Sequence, residues 1–169
     1  MNHQKNHKRS GFTLIELLVV FSIIGILSTV SIAGFSNYGR TQLLQTGASD
    51  VVSTLQVAKS RTQSQVKPTS CGTDKLNGYE VRICGLTGSV CSVPDTYELY
   101  VSCGVTKTRL STKELAQGVS FSQSGTTSTT FLFQILTGGV NGNGTVVLRG
   151  DDQAIKTIVV SNNGTISLQ

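Results

Sequence analysis

The most constraining feature of this sequence is an apolar run near its start. From Phe12 to Phe35 the chain contains one formal charge, Glu16, and the basic stretch "KNHKR" lies just ahead. A helix of that length would extend roughly 36 Å, enough to cross about 30 Å of hydrocarbon. Because basic residues that flank a span stay on the cytoplasmic side, we expect a cytoplasmic N-terminus and the rest of the chain across the membrane.

Two general interpretations of the run leave its details unexplained. A secretory signal peptide would place a small-x-small cleavage site at Ser31-Ile32-Ala33. Its apolar region would normally have only about 7–15 residues, and it would not contain a glutamate. An ordinary membrane anchor would have to let Glu16 reach the nearby interface, and it assigns no role to the glycine at position 11.

The segment "KRSGFTLIELLVV" closely resembles the cleavage and methylation motif of type IV prepilins and type II secretion pseudopilins. In that family a short basic leader ends in glycine, and a membrane-embedded prepilin peptidase cuts after it. The resemblance implies that Gly11 precedes the cut and that Phe12 becomes the N-methylated first residue. Glu16 would then be the fifth residue of the mature chain, and we expect it to act in assembly.

The resemblance also gives the lone acid a physical role. A carboxylate in apolar surroundings costs roughly 2.5–3.5 kcal/mol on insertion scales, and the new amine on Phe12 suits the bilayer equally badly. In a bundle of staggered subunits, the amine of one chain would meet Glu16 of its neighbour. Pairing the two charges would relieve both costs and would set the register of assembly.

Helical character is predicted to continue beyond Phe35. Apolar residues recur at intervals of three and four and form one stripe: Leu44, Ala48, Val51, Val52, Leu55 and Ala58. We interpret this stripe as a helix face packed on the protein's own sheet, with recruitment of another helix as the alternative. The stretch "LQVAKSRTQSQ" resembles the end of this helix in the H-type pseudopilin and FimT group of minor pilins.

Short alternating strands are predicted after Pro68. "GYEVRIC" and "TYELYVSC" read as two strands joined by a loop at 85–95, and "KTIVVSNNGTISL" reads as a closing hairpin. Four Asn-Gly pairs, beginning with Asn77-Gly78, are predicted to form turns. The expected fold is α+β and pilin-like, divided into a leader (1–11), a transmembrane half-helix (12–35), an amphipathic half-helix (36–66) and a β-rich outer domain (67–169).

The four cysteines all follow the predicted span. An even number in an oxidising compartment favours two disulfides, with three possible connectivities. In an antiparallel hairpin, Cys84 and Cys91 bracket the loop while Cys71 and Cys103 lie near the open end, so we favour these two pairs. The irregular gaps and the lack of a C-x₂-C pair argue against a zinc site.

The composition does not favour an enzyme. Both histidines, His3 and His7, lie in the predicted leader, so a mature chain would lack the commonest general base and metal ligand. Without residues 1–11 the chain retains eleven basic and nine acidic residues, which is weak support for a nucleic-acid partner. We therefore expect no catalytic residues, no cofactor and no metal.

Three classes of function remain open, the last of which is adhesion to a surface through a disulfide-bonded loop such as 85–95, whose sequence indicates no ligand. The first is a minor pilin or pseudopilin, whose partners would be other pilin subunits, prepilin peptidase, membrane lipid and an inner-membrane assembly platform. The second is DNA capture, since some FimT-type minor pilins carry a Gly-Arg-x-Arg motif near the C-terminus. Here Thr165 and Ser167 stand where those arginines would be. The other basic cluster, Lys107, Arg109 and Lys113, is interpreted as a solvated loop, so nucleic acid is disfavoured.

Overall fold

One long helix, α1, opens the fold and runs Leu14–Gln63. The structure is a computed structural model that describes residues 12–169, apart from the side chains of residues 29–37. No proline interrupts the helical stretch before Pro68. The helix ends in a Schellman motif: Gln65 has a φ of 51°, and the Val66 amide donates to the Arg61 carbonyl at 3.0 Å.

Two units divide the chain, and α1 contributes to both. The first unit extends to Tyr38, and the second is Gly39–Gln169. The second unit contains the C-terminal part of α1 and all strands of the described chain. The predicted leader, residues 1–11 with Gly11 at its end, lies outside the described residues.

Nine strands, all paired in antiparallel fashion, follow the helix in the described residues. They form one sheet in the order β3-β2-β1-β5-β6 and a second in the order β4-β7-β8-β9. The α+β fold class is therefore as predicted. The strands are β1 Leu76–Ile83, β2 Thr96–Cys103, β3 Thr106–Glu114, β4 Val119–Ser122, β5 Thr130–Gln134, β6 Val140–Asn141, β7 Gly144–Gly150, β8 Ile155–Val160 and β9 Ile166–Leu168.

The apolar stripe of α1 lies in the hydrophobic core. Leu44, Ala48, Val51, Leu55 and Ala58 are buried, and Val52 packs at the margin. They join inward-facing residues from both sheets, whose alternation follows the period of two along a strand. The interpretation of this stripe as a face packed on the protein's own sheets is confirmed.

The disulfides close the β1–β2 hairpin at both ends. Cys84 is joined to Cys91 across the connecting loop, and Cys71 is joined to Cys103 near the open end. This is the connectivity that the hairpin argument favours. The closing hairpin also forms, since β8 pairs with β9 from Ile158 to Val160.

Two expectations about local structure are wrong. The basic cluster at 107–113 is not a loop but the strand β3, which pairs with β2 along its length. Asn77-Gly78 is not a turn, because both residues lie inside β1 at an irregularity in its register with β2. A Cβ atom on Gly78 would overlap the carbonyl oxygen of Phe133 on β5, so this glycine permits a close approach of two strands.

Candidate processing and assembly site

The N-terminal motif coincides with the start of α1. Phe12 and Thr13 precede the helix, and Glu16 lies in its first turn. The Thr13 Oγ1 atom accepts a hydrogen bond from the Glu16 amide at 3.3 Å, as an N-cap side chain does. Thr13 and Glu16 thus have the spacing of a capping box, in which an acid also favours the positive end of the helix dipole. This cap was not among the predicted features, although a threonine three residues before a glutamate is its signal in the sequence.

The helix surface after the motif is apolar and unburied. Every described side chain from 12 to 28 is exposed, and Phe12 is 77 % exposed. The hydroxyls of Ser22 and Ser28 donate to the carbonyls of Leu18 and Ile24, at 2.8 and 2.7 Å. Their polar groups are therefore satisfied within the helix, which makes this surface suitable for apolar surroundings.

The predicted membrane span is only partly described. Within the described part of the chain, no helical stretch reaches the combined length and apolarity of a membrane-crossing segment. Side chains 29–35 of the predicted span lie outside that description.

The predicted site residues occupy one helix end. Phe12 lies beside Thr13, and Glu16 follows one turn later, while Gly11 lies outside the described residues. Among the described residues the ion pairs are confined to β1, β2 and β3, and none includes Glu16. Within one chain, the described residues therefore include Glu16 and an apolar surface beside it, but no cation that forms an ion pair with Glu16.

A cluster of ion pairs covers the face of β1, β2 and β3 that is turned away from α1, called here the outer face. The carboxylate of Glu80, which is 1 % exposed, contacts Arg82 and Lys107, each at 2.5 Å. The carboxylate of Glu98 accepts from Arg109 at 2.8 Å and from the Tyr100 hydroxyl at 3.0 Å. A buried carboxylate of this kind destabilises the folded protein unless its partners remain charged or hydrogen-bonded to it.

These contacts shift the ionisation of Glu98 and Tyr100. Burial by itself raises the pKa of Glu98, but the hydrogen bonds from Arg109 and Tyr100 outweigh it, and the pKa is lowered from 4.5. Burial and the bond to Glu98 raise the pKa of Tyr100. Since Lys107 and Arg109 are held by carboxylates, they are poorly placed to bind phosphates.

One grouping of metal-ligand residue types is a disulfide rather than a metal centre. Ligand atoms of Cys84, Cys91 and Glu98 lie within 4.8 Å of one another. Both sulfurs are already bonded to each other, so neither is available as a thiolate ligand. The carboxylate of Glu98 is used by Arg109 and Tyr100.

The class of protein is indicated by the N-terminal segment. Residues 6–32 match the family described as "Prokaryotic N-terminal methylation motif". The chain is also similar to "Prepilin peptidase-dependent protein D" of Escherichia coli (strain K12), with 54 % identity over 43 residues. That alignment covers 23 % of this chain and 30 % of the relative, so the chain matches well under two thirds of the relative's length. No solved structure matches the chain.

Proposed function

We propose that this protein is a minor pilin or pseudopilin, a non-catalytic subunit of a type IV pilus or of a type II secretion pseudopilus. The observation that carries the proposal is the match of residues 6–32 to the methylation motif, at the start of a long helix that leads into an antiparallel β-domain. Within this class, the sequence at the end of the helix favours the H-type and FimT group.

Processing is proposed between Gly11 and Phe12. The relative's name states dependence on prepilin peptidase, and residues 6–32 of this chain match the methylation motif. The peptidase would remove residues 1–11, and the free amine of Phe12 would then be methylated. Phe12 precedes the first residue of α1 and is exposed, so its amine would project from the helix end.

Assembly is proposed to use Glu16 and the apolar surface beside it. Leu14, Leu17, Leu18 and Phe21 border one shallow groove on the helix. A neighbouring subunit that packs there would bring its own N-terminal amine towards Glu16. The pairing of amine and carboxylate would relieve the cost of holding either charge in an apolar environment.

The same proposal gives a topology. The segment 12–35 would cross the inner membrane once, with the N-terminus in the cytoplasm and residues 67–169 outside. The Cys71–Cys103 and Cys84–Cys91 disulfides support an oxidising location for the β-domain. Membrane lipid, prepilin peptidase, other pilin subunits and an assembly platform would be the partners.

Paired cleavage-site variants test the proposal. The full-length chain would be produced in bacterial cells with and without a prepilin peptidase, and its length compared by immunoblotting. We expect shortening only with the peptidase, its loss in Gly11→Val because the cut requires the small residue, and its retention in Ala33→Leu. Peptidase-independent shortening that Ala33→Leu abolishes would indicate an ordinary signal peptide and would overturn the proposal.

A further inference from the structure

Among the described residues, one edge of the first sheet has no partner strand. β3 pairs with β2 on one side and, in the described part of the chain, with no strand on the other. Eight of its nine residues are exposed, and Leu110 is half-buried. Its backbone donors and acceptors on that side are therefore a template for an extended chain.

The edge is protected against pairing with its own copy. Leu99 pairs with Ser111 and Tyr100 with Arg109, so Leu110 is an extra residue that interrupts the strand. Antiparallel pairing of two β3 strands centred on Leu110 would also place Lys107 opposite Lys113. Like charges directly opposite each other destabilise a sheet.

Beside the second half of β3 lies a groove between the strand and α1. Its volume is about 210 Å³, and its lining includes Val57 and Arg61 of α1, Leu99 of β2, and Ser111 and Lys113 of β3. Arg61 and Lys113 give one cation on each wall. Val57 is 39 % exposed, so part of the groove surface is apolar and open to solvent.

Lys113 differs from the other cations of β3. Lys107 and Arg109 point to the outer face, where they pair with Glu80 and Glu98. Lys113 lies opposite Tyr97, a buried core residue, and therefore on the helix side of the sheet. No ion pair among the described residues includes Lys113 or Arg61. Arg61 lies 5.9 Å from the centroid of the Tyr79 ring, a contact that does not neutralise its charge, so both cations could receive an incoming acid.

We propose that the second half of β3, Ser111 to Glu114, binds an extended acidic segment of another protein by strand addition. Backbone hydrogen bonds would hold the segment at the edge. An acidic side chain would enter the groove between Arg61 and Lys113, and an apolar side chain two residues away on the same face would contact Val57. This proposal concerns the β-domain and does not depend on the N-terminal processing proposed above.

Charge complementarity favours an extended acidic segment over a second copy of the chain or a nucleic acid. A second copy of the chain would bring β3, with three basic residues and one acidic residue, against the same charges. A nucleic acid would offer phosphates but no strand backbone, and two of the three cations are already paired with carboxylates. An extended segment with an acid facing the helix would pair with the free strand edge and with the two cations that form no ion pair among the described residues.

The test uses the full-length protein in detergent at low salt. The probe is a short peptide in which every second residue is threonine and the residues between are valine, glutamate and valine, in that order. The two valines and the glutamate therefore share one face of the extended peptide. A photoreactive group replaces one valine, and mass spectrometry locates the crosslinks. We expect binding with crosslinks to β3 and to α1 near Val57, and weaker binding of a scrambled peptide in which the two valines are adjacent.

Charge reversal provides the matched variants. Lys113→Glu and Arg61→Glu should each weaken binding about tenfold, and the double variant should prefer a peptide with lysine in place of glutamate. Arg149→Glu on the second sheet makes the same charge change and should bind like the wild type. A preference for the lysine peptide by the wild type, unchanged binding by Lys113→Glu, crosslinks between two copies of β3, or displacement by single-stranded DNA would overturn the proposal.

Discussion

At the scale of single residues, the position of Glu16 has one local physical reason and one proposed intermolecular reason. The first is local: its amide bonds to Thr13 at the start of α1, and its charge suits the helix N-terminus. The second is intermolecular, because its charge would neutralise the amine of a neighbouring subunit. The local reason applies at a helix N-terminus in any environment. The intermolecular reason applies only if the leader is cleaved. The two make different predictions for substitutions.

Glu16→Gln is expected to leave processing intact and to abolish incorporation into filaments, because the amide has similar size but no charge. Thr13→Ala is the matched control: it removes the capping hydroxyl, at a cost of about 0.5–2 kcal/mol, and keeps the charge. Immunoblots of sheared filaments would measure incorporation. If Glu16→Gln assembles at the wild-type level, the charge-pairing account is wrong.

The lowered pKa of Glu98 predicts a pH-dependent stability. A carboxyl group whose pKa is lowered by folding stabilises the protein above its unfolded pKa, near 4.5, and this contribution is lost as the pH falls through the folded pKa. The wild type should therefore be more stable than Glu98→Gln at pH 7, and the gap should narrow below pH 4.5. Near-ultraviolet circular dichroism of the tyrosines would follow unfolding at each pH.

The exposed Glu114 provides the control for that measurement. It lies at the end of β3 and belongs to no ion pair among the described residues. Glu114→Gln should therefore run parallel to the wild type over the same pH range. A constant difference between Glu98→Gln and the wild type from pH 7 to pH 3 would contradict the role assigned to the Arg109 and Tyr100 contacts.

At the scale of elements, apolar patterning predicted most of the fold and failed where patterning was absent. The stripe of α1 and the alternation in β1 and β2 both mark faces that are buried in the structure. β3 has no such pattern, because both of its faces are exposed and pairing with β2 alone makes it a strand. Gly78 was misassigned for a related reason: its role depends on the approach of β5, which is distant in sequence.

The two disulfides should differ in their effect on stability. Cys71 and Cys103 are 32 residues apart, whereas Cys84 and Cys91 are seven apart. In the chain-entropy account the longer loop is worth about 4 kcal/mol and the shorter about 2 kcal/mol. Replacing Cys71 and Cys103 by serine should therefore lower the melting temperature more than replacing Cys84 and Cys91, and thermal unfolding of the two double variants would measure this. Equal losses would contradict the ranking.

At the scale of the whole molecule, each unit supports a different part of the account. The first unit contains the motif at the start of α1, and its short contiguous pattern could be found in the sequence without any knowledge of packing. The second unit contains the β-domain, whose groove at Arg61 and Lys113 joins residues far apart in the chain. No local pattern predicts such a groove, so it could be found only once the strands were placed.

The central claim is that a new amine at Phe12 exists in the working protein, since the proposed role of Glu16 requires it. The most direct test is mass spectrometry of the N-terminal peptide of the chain purified from membranes of cells that contain the peptidase. Our account predicts a peptide that begins at N-methylated Phe12. A peptide that begins at Met1, or a soluble product that begins at Gly34, would contradict it.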